Sequence, residues 1–311
     1  MVPVVASLAG VVMLTITTID ALRRELDGHR RARRTIGLVP TMGALHDGHA
    51  SLIRAAAARS DVVVTTIFVN PLQFAPTDDL DAYPRDLDGD TALAGSAGTS
   101  ILFTPSVAEM YPFGPRHVLT NVSVAGITDV LDGLARPGHF DGVATVVAKL
   151  FAIAGPYAAF FGEKDWQQLA VVRRMAVDLS FPVEIVGCPT VRELGGLAMS
   201  SRNAYLSADD RAAAGVVWRA LQAGVAVVEG TAGERAVRVA TVRAAMLAVL
   251  EASAVVRSID YVACVDPVTL TEPVVVDSEV RLLIAARVGR EGATARLIDN
   301  CAASPRRGSP A

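Results

Sequence analysis

Two imidazoles three residues apart, in the run His46-Asp47-Gly48-His49, follow a strand-like segment (Thr35 to Val39) and a turn (Pro40-Thr41-Met42-Gly43). Where a strand hands over to a helix, two such rings can face one phosphate group together. The next stretch, Ala50 to Ala58, is rich in helix formers, which puts His49 in the first helical turn. Free amides and the positive dipole end there favour an anion. Alone the pattern is weak, because two histidines near a turn are more often incidental surface residues.

Three further clusters follow strand-like runs. Asn70-Pro71-Leu72-Gln73-Phe74 comes after the apolar Val62 to Val69 and places Gln73 just past a strand end; by itself a surface glutamine is the ordinary reading. Phe161 to Gln168 (FGEKDWQQ) again leaves a strand and opens a helix, with Gly162 permitting close backbone approach. Lys149 and Lys164 are the chain's two lysines among 29 basic residues. A lysine kept at such a turn suits a compact ammonium on phosphate, with solvated surface charge as the alternative. Gly195 to Asn203 (GGLAMSSRN) is a flexible loop offering two hydroxyls, amides and a guanidinium, a set suited to departing pyrophosphate. A plain hinge between domains is compatible with the same residues.

The elements that must position these clusters alternate. Strands are expected at Thr35 to Val39, Val62 to Val69, Ser100 to Phe103, Tyr157 to Phe161 and Val183 to Val186. Helices are expected at Asp141 to Ala154 and at Asp165 to Leu179, the latter N-capped by Asp165. Such alternation encodes a parallel sheet covered by helices, with ligands beyond the carboxyl ends of the strands. After residue 190 the order changes. Ser207 opens a long Ala/Val-rich helix, a second helix runs from about Glu234 to Glu251, and strands follow at Ser258 to Val265 and Leu282 to Val288. Residues 13–190 therefore read as an α/β domain and 191–300 as a smaller α+β domain. Residues 1–12, uncharged and followed by a short strand from Leu14, read as a dispensable extension, and 301–311 as a disordered tail.

With 311 residues and a net charge of -3, nothing global pulls the chain toward nucleic acid or an anionic membrane. The basic run Arg30 to Arg34 reads as a solvated helix end. Cys188, Cys264 and Cys301 are far apart and fit reduced thiols in a cytoplasmic protein.

Through about residues 13 to 300 the chain resembles the pantothenate synthetase family, the AMP-forming pantoate:beta-alanine ligases. Six ordered segments carry the resemblance: Leu38 to His49 (LVPTMGALHDGH), Ile67 to Phe74 (IFVNPLQF), Asp79 to Arg85 (DLDAYPR), Arg136 to Phe140 (RPGHF), Phe161 to Asp165 (FGEKD) and Leu197 to Asn203 (LAMSSRN). It implies an α/β fold with a Rossmann-like parallel sheet domain of the HIGH-motif nucleotidylyltransferase type and a smaller α+β C-terminal lid domain. It also implies a cytoplasmic homodimer and a two-step reaction: pantoate attacks the α-phosphate of ATP, and beta-alanine then attacks the acyl adenylate.

Carried over position by position, ATP would be held by Met42, Gly43, His46, His49, Gly162, Lys164, Asp165, Val191, Met199, Ser200, Ser201 and Arg202. His46 and His49 would lie on the phosphates, with His49 as proton donor and Lys164 as the third catalytic residue. Gln73 and Gln168 would hold pantoate as neutral amides, since a carboxylate locked to arginine is a poorer nucleophile. Mg2+ is expected on the triphosphate, supported by Asp90 through water. Two departures stand out: Gly195 replaces an acidic residue before Leu-Ala-Met-Ser-Ser-Arg, and Asp132 replaces glutamate before Arg136-Pro137. A related nucleotidylyltransferase would need a cationic acceptor pocket in place of Gln73 and Gln168. A non-catalytic nucleotide-binding paralogue is suggested by Gly195 and Asp132 alone.

Overall fold

A computed structural model describes residues 4–8, 11–74, 80, 83–230, 237–290 and 293–306, with side chains from Met13 onward. The chain divides into two units, residues 1–163 with 167–189, and residues 164–166 with 190–311.

The first unit runs β1 (Val4–Leu8), β2 (Val11–Ile16), α1 (Ile19–Arg31), β3 (Ile36–Thr41), α2 (Asp47–Ala57), β4 (Val62–Ile67), α3 (Leu87–Ala97), β5 (Ile101–Phe103), α4 (Val107–Met110), α5 (Leu131–Ala135), α6 (His139–Ala154), β6 (Ala158–Gly162), α7 (Trp166–Asp178, entered from the second unit's turn) and β7 (Glu184–Cys188). Six strands are parallel in the order β2-β5-β4-β3-β6-β7, and β1 adds antiparallel to β2 at the edge. The β-branched run of β4 (VVVTTI) fits a strand covered on both faces, and its first five residues are buried. Helix α2 packs on α3 and on β3, β4 and β6, while α6 packs on α1 and β3. Leu38, Val39, Ile53, Val64, Leu102 and Phe160 are fully buried between these layers.

The strand order reverses between β3 and β6, and the crevice of an open parallel sheet forms at such a point. Pro40 widens it. The carbonyl of Ile36 accepts from Tyr157 on the β6 side, whereas those of Thr35 and Thr41 accept from Val62 and Phe68 on the β4 side. Residue 40 therefore faces β6, and proline has no N–H to offer there. Pairing of β3 with β6 stops at Leu38, although β6 continues to Gly162.

The N-terminal region differs from expectation. Strand β2 begins at Val11 and pairs with β1, so residues 4–8 belong to the sheet. The parallel pairing of β2 with β5 lies wholly at Leu14 to Ile16. Residues 1–3 and 9–10 lie outside the described residues, as do 75–79, 81 and 82 of the segment before Arg85.

The second unit carries α8 (Ala208–Ala213), α9 (Val216–Gly230), β8 (Val237–Arg238), α10 (Val239–Glu251), β9 (Val256–Val265), β10 (Val275–Val276), β11 (Val280–Arg290) and β12 (Ala293–Ala303). Strands β9 and β12 flank β11 in an antiparallel sheet, and α9 and α10 pack on each other and on it. The helix expected from Ser207 breaks at Ala214–Gly215. By length and composition Ala208–Gly230 could cross a bilayer. In this fold its Val216, Val217, Ala220, Leu221 and Val228 are core residues beside Met246, Leu282 and Ile284. The expected tail also differs: β12 runs through Ala303, and 307–311 lie outside the described residues, as do 231–236 at the expected start of the second helix.

Candidate active site

In the first unit the chain turns out of β3 through two left-handed residues, Gly43 (φ 89°) and Ala44 (φ 51°). A Cβ on Gly43 would lie 2.9 Å from Asp90 Oδ2, so glycine is required there for space as well as for conformation. Asp90, on α3 and 4% exposed, holds the turn: Ala44 N and Leu45 N donate to its two carboxylate oxygens at 3.0 and 2.6 Å. Burial pushes this carboxyl above its ordinary range, a rise the two amides partly offset and nearby Asp86 reinforces. Asp90 thus braces the turn, a role that sequence spacing did not suggest.

The turn leads into α2, which the two histidines cap. Gly48 N donates to His46 Nδ1 at 3.1 Å, and His46 N donates to His49 Nδ1 at 3.3 Å, closing a capping box built from imidazoles. A backbone amide only donates, so both Nδ1 atoms are acceptors and each ring proton sits on Nε2. The ring centroids are 4.2 Å apart. Two N–H donors therefore sit on the first turn of one helix.

A cavity of about 470 Å3 lies beyond the carboxyl ends of β3, β4 and β5, walled by Met42, Gly43, Ile67, Phe68, Asp90 and Thr104 among others. Gln73, 7% exposed, is set beside Met42, with Nε2 2.9 Å from Met42 Sδ. Its Oε1 accepts from Asn70 Nδ2 at 3.1 Å, and Asn70 Oδ1 accepts from Tyr111 Oη at 2.7 Å. Arg136 donates to His139 Nε2 at 3.1 Å, which leaves His139 Nδ1–H to donate to the Gln73 carbonyl at 2.7 Å. Gly142 lets α6 approach this turn, since a Cβ would overlap the Leu72 carbonyl. Sequence reading missed Asn70, Tyr111 and His139 as the residues that orient Gln73. Asn70 and His139 lie inside matching segments, whereas nothing local marked Tyr111.

The two glutamines of α7 behave differently. Gln167 is 4% exposed, accepts from Asp132 N at 3.0 Å and donates to the carbonyls of Ile127 and Val130 at 2.8 Å each. Gln168 is half-buried, and its side chain makes no hydrogen bond among the described residues. Asp132, one of the two departures, is thereby tied by its backbone to α7. Gly162 ends β6 with open space where a Cβ would be.

In the second unit, Lys164 and Asp165 belong to a tight turn, Glu163–Asp165, and Lys164 Nζ lies 3.5 Å from Asp165 Oδ1. Asp165 is in this turn directly before α7. Expectation left Lys164 to Trp166 in the first unit, but the turn is held by the second. Asn300 Nδ2 donates to the Lys164 carbonyl at 2.7 Å, and Trp166 Nε1 donates to the Pro267 carbonyl at 3.0 Å. Val191 accepts from Met199 N at 2.9 Å across a hairpin that includes the Arg192–Ala198 bridge. Glu193 takes Arg211 Nε and Asn203 Nδ2 at 2.8 Å each, and the Arg211 guanidinium holds its carboxyl below the ordinary range. The loop expected to be flexible is thus a braced hairpin. Gly196 (φ 86°) is required, because a Cβ would overlap the Trp218 ring, whereas Gly195 has 3.7 Å of clearance. Ser200 caps the turn Ser201–Tyr205, its Oγ accepting from Arg202 N at 3.3 Å. Lys164, Ser200 and Arg202 line one small cavity with Arg296 and Asp299.

The family model for pantoate-beta-alanine ligase matches residues 14–302. A pantothenate synthetase of Novosphingobium aromaticivorans is 49% identical over 298 residues, covering 94% of this chain and 100% of its own. The solved pantothenate synthetase of Thermus thermophilus is 48% identical with a TM-score of 0.83, over 92% of this chain and 98% of its own. A pantoate-beta-alanine ligase from Francisella tularensis, solved with beta-gamma ATP and beta-alanine, is 31% identical with a TM-score of 0.73, over 93% and 97%.

Proposed function

Because the chain belongs to the pantoate-beta-alanine ligase family, we propose how its own residues divide the ATP-dependent condensation of pantoate with beta-alanine. In the first step a pantoate carboxylate oxygen bonds to the α-phosphorus of ATP, and the bond to the β-phosphate oxygen breaks, releasing pyrophosphate. In the second the amine of beta-alanine bonds to the acyl carbon, loses a proton, and AMP leaves with the C–O electron pair. Both steps depend mainly on alignment and on stabilising charge that grows in flight.

The histidine cap carries this reading. With both Nδ1 atoms engaged by the backbone, His46 and His49 offer Nε2–H donors at a helix N-terminus, where phosphate oxygens are favoured by the local field as well. His49 is assigned as the proton donor to the departing phosphate oxygen. Met42 and Gly43 shape the nucleotide's entry, and Gly162 leaves room beside the backbone. Lys164, Asp165, Val191, Met199, Ser200, Ser201 and Arg202 are assigned to the nucleotide on the second unit. The Lys164 ammonium and the Ser200–Arg202 group supply charge and hydrogen bonds for pyrophosphate.

Gln73 and Gln168 are assigned to pantoate. The Asn70 contact fixes the Gln73 carbonyl, so its NH2 is the group directed toward Met42 and the substrate. An amide aligns the carboxylate without the tight pairing that would blunt it.

Mg2+ would accompany the nucleotide. An Mg2+ ion keeps several waters and is held mainly through substrate phosphates. It would lower the charge of the triphosphate, and Asp90, on the cavity wall, would steady its water shell while bracing the turn. The enzyme is assigned to the cytoplasm, and its assignment as a homodimer is checked by sedimentation of the purified protein.

The test is a product assay with ATP, pantoate and beta-alanine. Pantothenate, AMP and pyrophosphate in equal amounts are expected. ADP and phosphate would contradict adenylation.

A further inference from the structure

Two adjacent residues near the end of β12 hold two separate segments of the second unit. Asn300 is 3% exposed. Its Oδ1 accepts from Arg281 Nε at 2.7 Å, and its Nδ2 donates to the Lys164 carbonyl at 2.7 Å. A guanidinium only donates and a carbonyl only accepts, so a neutral amide is the side chain that satisfies both at once. Arg281 also reaches the residue that follows this turn, its guanidinium carbon 3.6 Å from the Trp166 ring centroid. Asp299, also buried, accepts from both Arg192 nitrogens at 2.6 and 3.0 Å. Arg192 in turn donates to the Gly196 carbonyl at 2.9 Å and lies over Trp218. The hairpin so pinned pairs Val191 with Met199, the residue directly before Ser200.

We propose that Asn300 is a positioning residue for the adenylation step. It anchors the backbone from which the Lys164 ammonium extends, while Asp299, through Arg192, anchors the segment carrying Ser200 and Arg202. The spacing between the two phosphate-handling groups is therefore set by neighbouring residues of one strand. A lysine side chain has four rotatable bonds, so fixing its root narrows the space its charge samples. The inference rests on the assignment of Lys164 to phosphate.

The experiment is pantoate-dependent exchange of labelled pyrophosphate into ATP, without beta-alanine, for the full chain, Asn300→Asp, Lys164→Ala and the double variant. Asn300→Asp keeps the acceptor for Arg281 and turns a carboxylate toward the Lys164 carbonyl. The expected result is a loss of about tenfold to a hundredfold in kcat with pantoate KM nearly unchanged, and less than about twofold further loss when Lys164 is already alanine. Equal losses in both backgrounds would overturn the inference while leaving Lys164 in its assigned role. Near-normal exchange by Lys164→Ala would overturn that assignment and the inference with it. If Asn300→Asp does not fold, Asn300→Ala, which deletes the donor without adding charge, enters the same cycle with the same deciding outcomes.

Discussion

The His49 ring accepts a hydrogen bond from the His46 amide at 3.3 Å, so the second histidine of the pair caps the helix that the first one opens. Under the proposed assignment this one contact serves fold and chemistry together. It satisfies the amide at the helix cap, and it fixes the tautomer that carries the ring proton on Nε2.

His49→Gln separates the two roles. Glutamine is a usual residue at this position of a capping box, so stability should fall by less than about 1 kcal/mol. Pyrophosphate exchange should fall on the order of a hundredfold or more. Thermal melting and exchange measured on one preparation check this. A parallel loss of stability and rate would show that the imidazole acts only as a cap.

The neighbouring glutamines should part company. Gln167→Ala leaves the buried Asp132 amide and two partly buried carbonyls without their partner, at a cost of about 2–3 kcal/mol in urea unfolding. Gln168→Ala should cost little stability and raise pantoate KM far more than ATP KM, as should Gln73→Ala. Equal damage to both constants would remove the pantoate assignment.

These two positions also show where sequence stops being informative. Strands such as β4 were legible because a covered parallel strand needs an unbroken β-branched run, and the candidate polar clusters were legible because they follow strand-like runs. Which of Gln167 and Gln168 meets substrate is not written in α7; it depends on carbonyls about 40 residues earlier. The bracing role of Asp90 was not legible because a carboxylate's partners do not show locally, and the amides it binds are 45 and 46 residues away. Strand β12 was not read from the sequence, because Asp299 and Asn300 are buried polar residues, which satisfy hydrogen bonds and so break the apolar pattern. The break at Gly215 follows from a close approach of the Gly195 carbonyl, which a Cβ would block. The His-x-x-His spacing did contain a signal, since an acceptor side chain at the cap and another three residues on is the capping-box pattern.

Asp90→Asn tests the turn. One amide oxygen cannot replace two carboxylate oxygens, and the new NH2 would face a backbone N–H, so ATP KM should rise and stability should drop by about 1–3 kcal/mol at neutral pH. The pH dependence has a definite sign. A carboxyl raised in the folded state binds its proton more tightly there than in the unfolded chain. Its contribution to stability is full below the ordinary carboxylate range and is lost as pH rises through the raised value. The stability of the unsubstituted chain relative to Asp90→Asn should therefore increase as pH falls from neutral toward the ordinary carboxylate range. A difference that shrinks on acidification would contradict the burial argument.

The hairpin glycines should respond unequally. Gly195→Asp restores an acidic residue where the backbone is unstrained and the nearest atom is 3.7 Å from a Cβ, so folding should be preserved. Gly196→Ala forces a methyl group against Trp218 at a left-handed position and should cost about 1–3 kcal/mol. Melting temperatures compared side by side decide it; equal tolerance at both sites would mean that the hairpin is looser than its bonds to Arg192 and Glu193 indicate.

The adenylate route is tested most directly by the first half-reaction alone. Protein is incubated with ATP, labelled pyrophosphate and pantoate, with beta-alanine omitted. Label should enter ATP only when pantoate is present, and AMP should be released in quantity only after beta-alanine is added. Exchange that needs beta-alanine and ignores pantoate, or none with either substrate while pantothenate is still formed, would contradict the account.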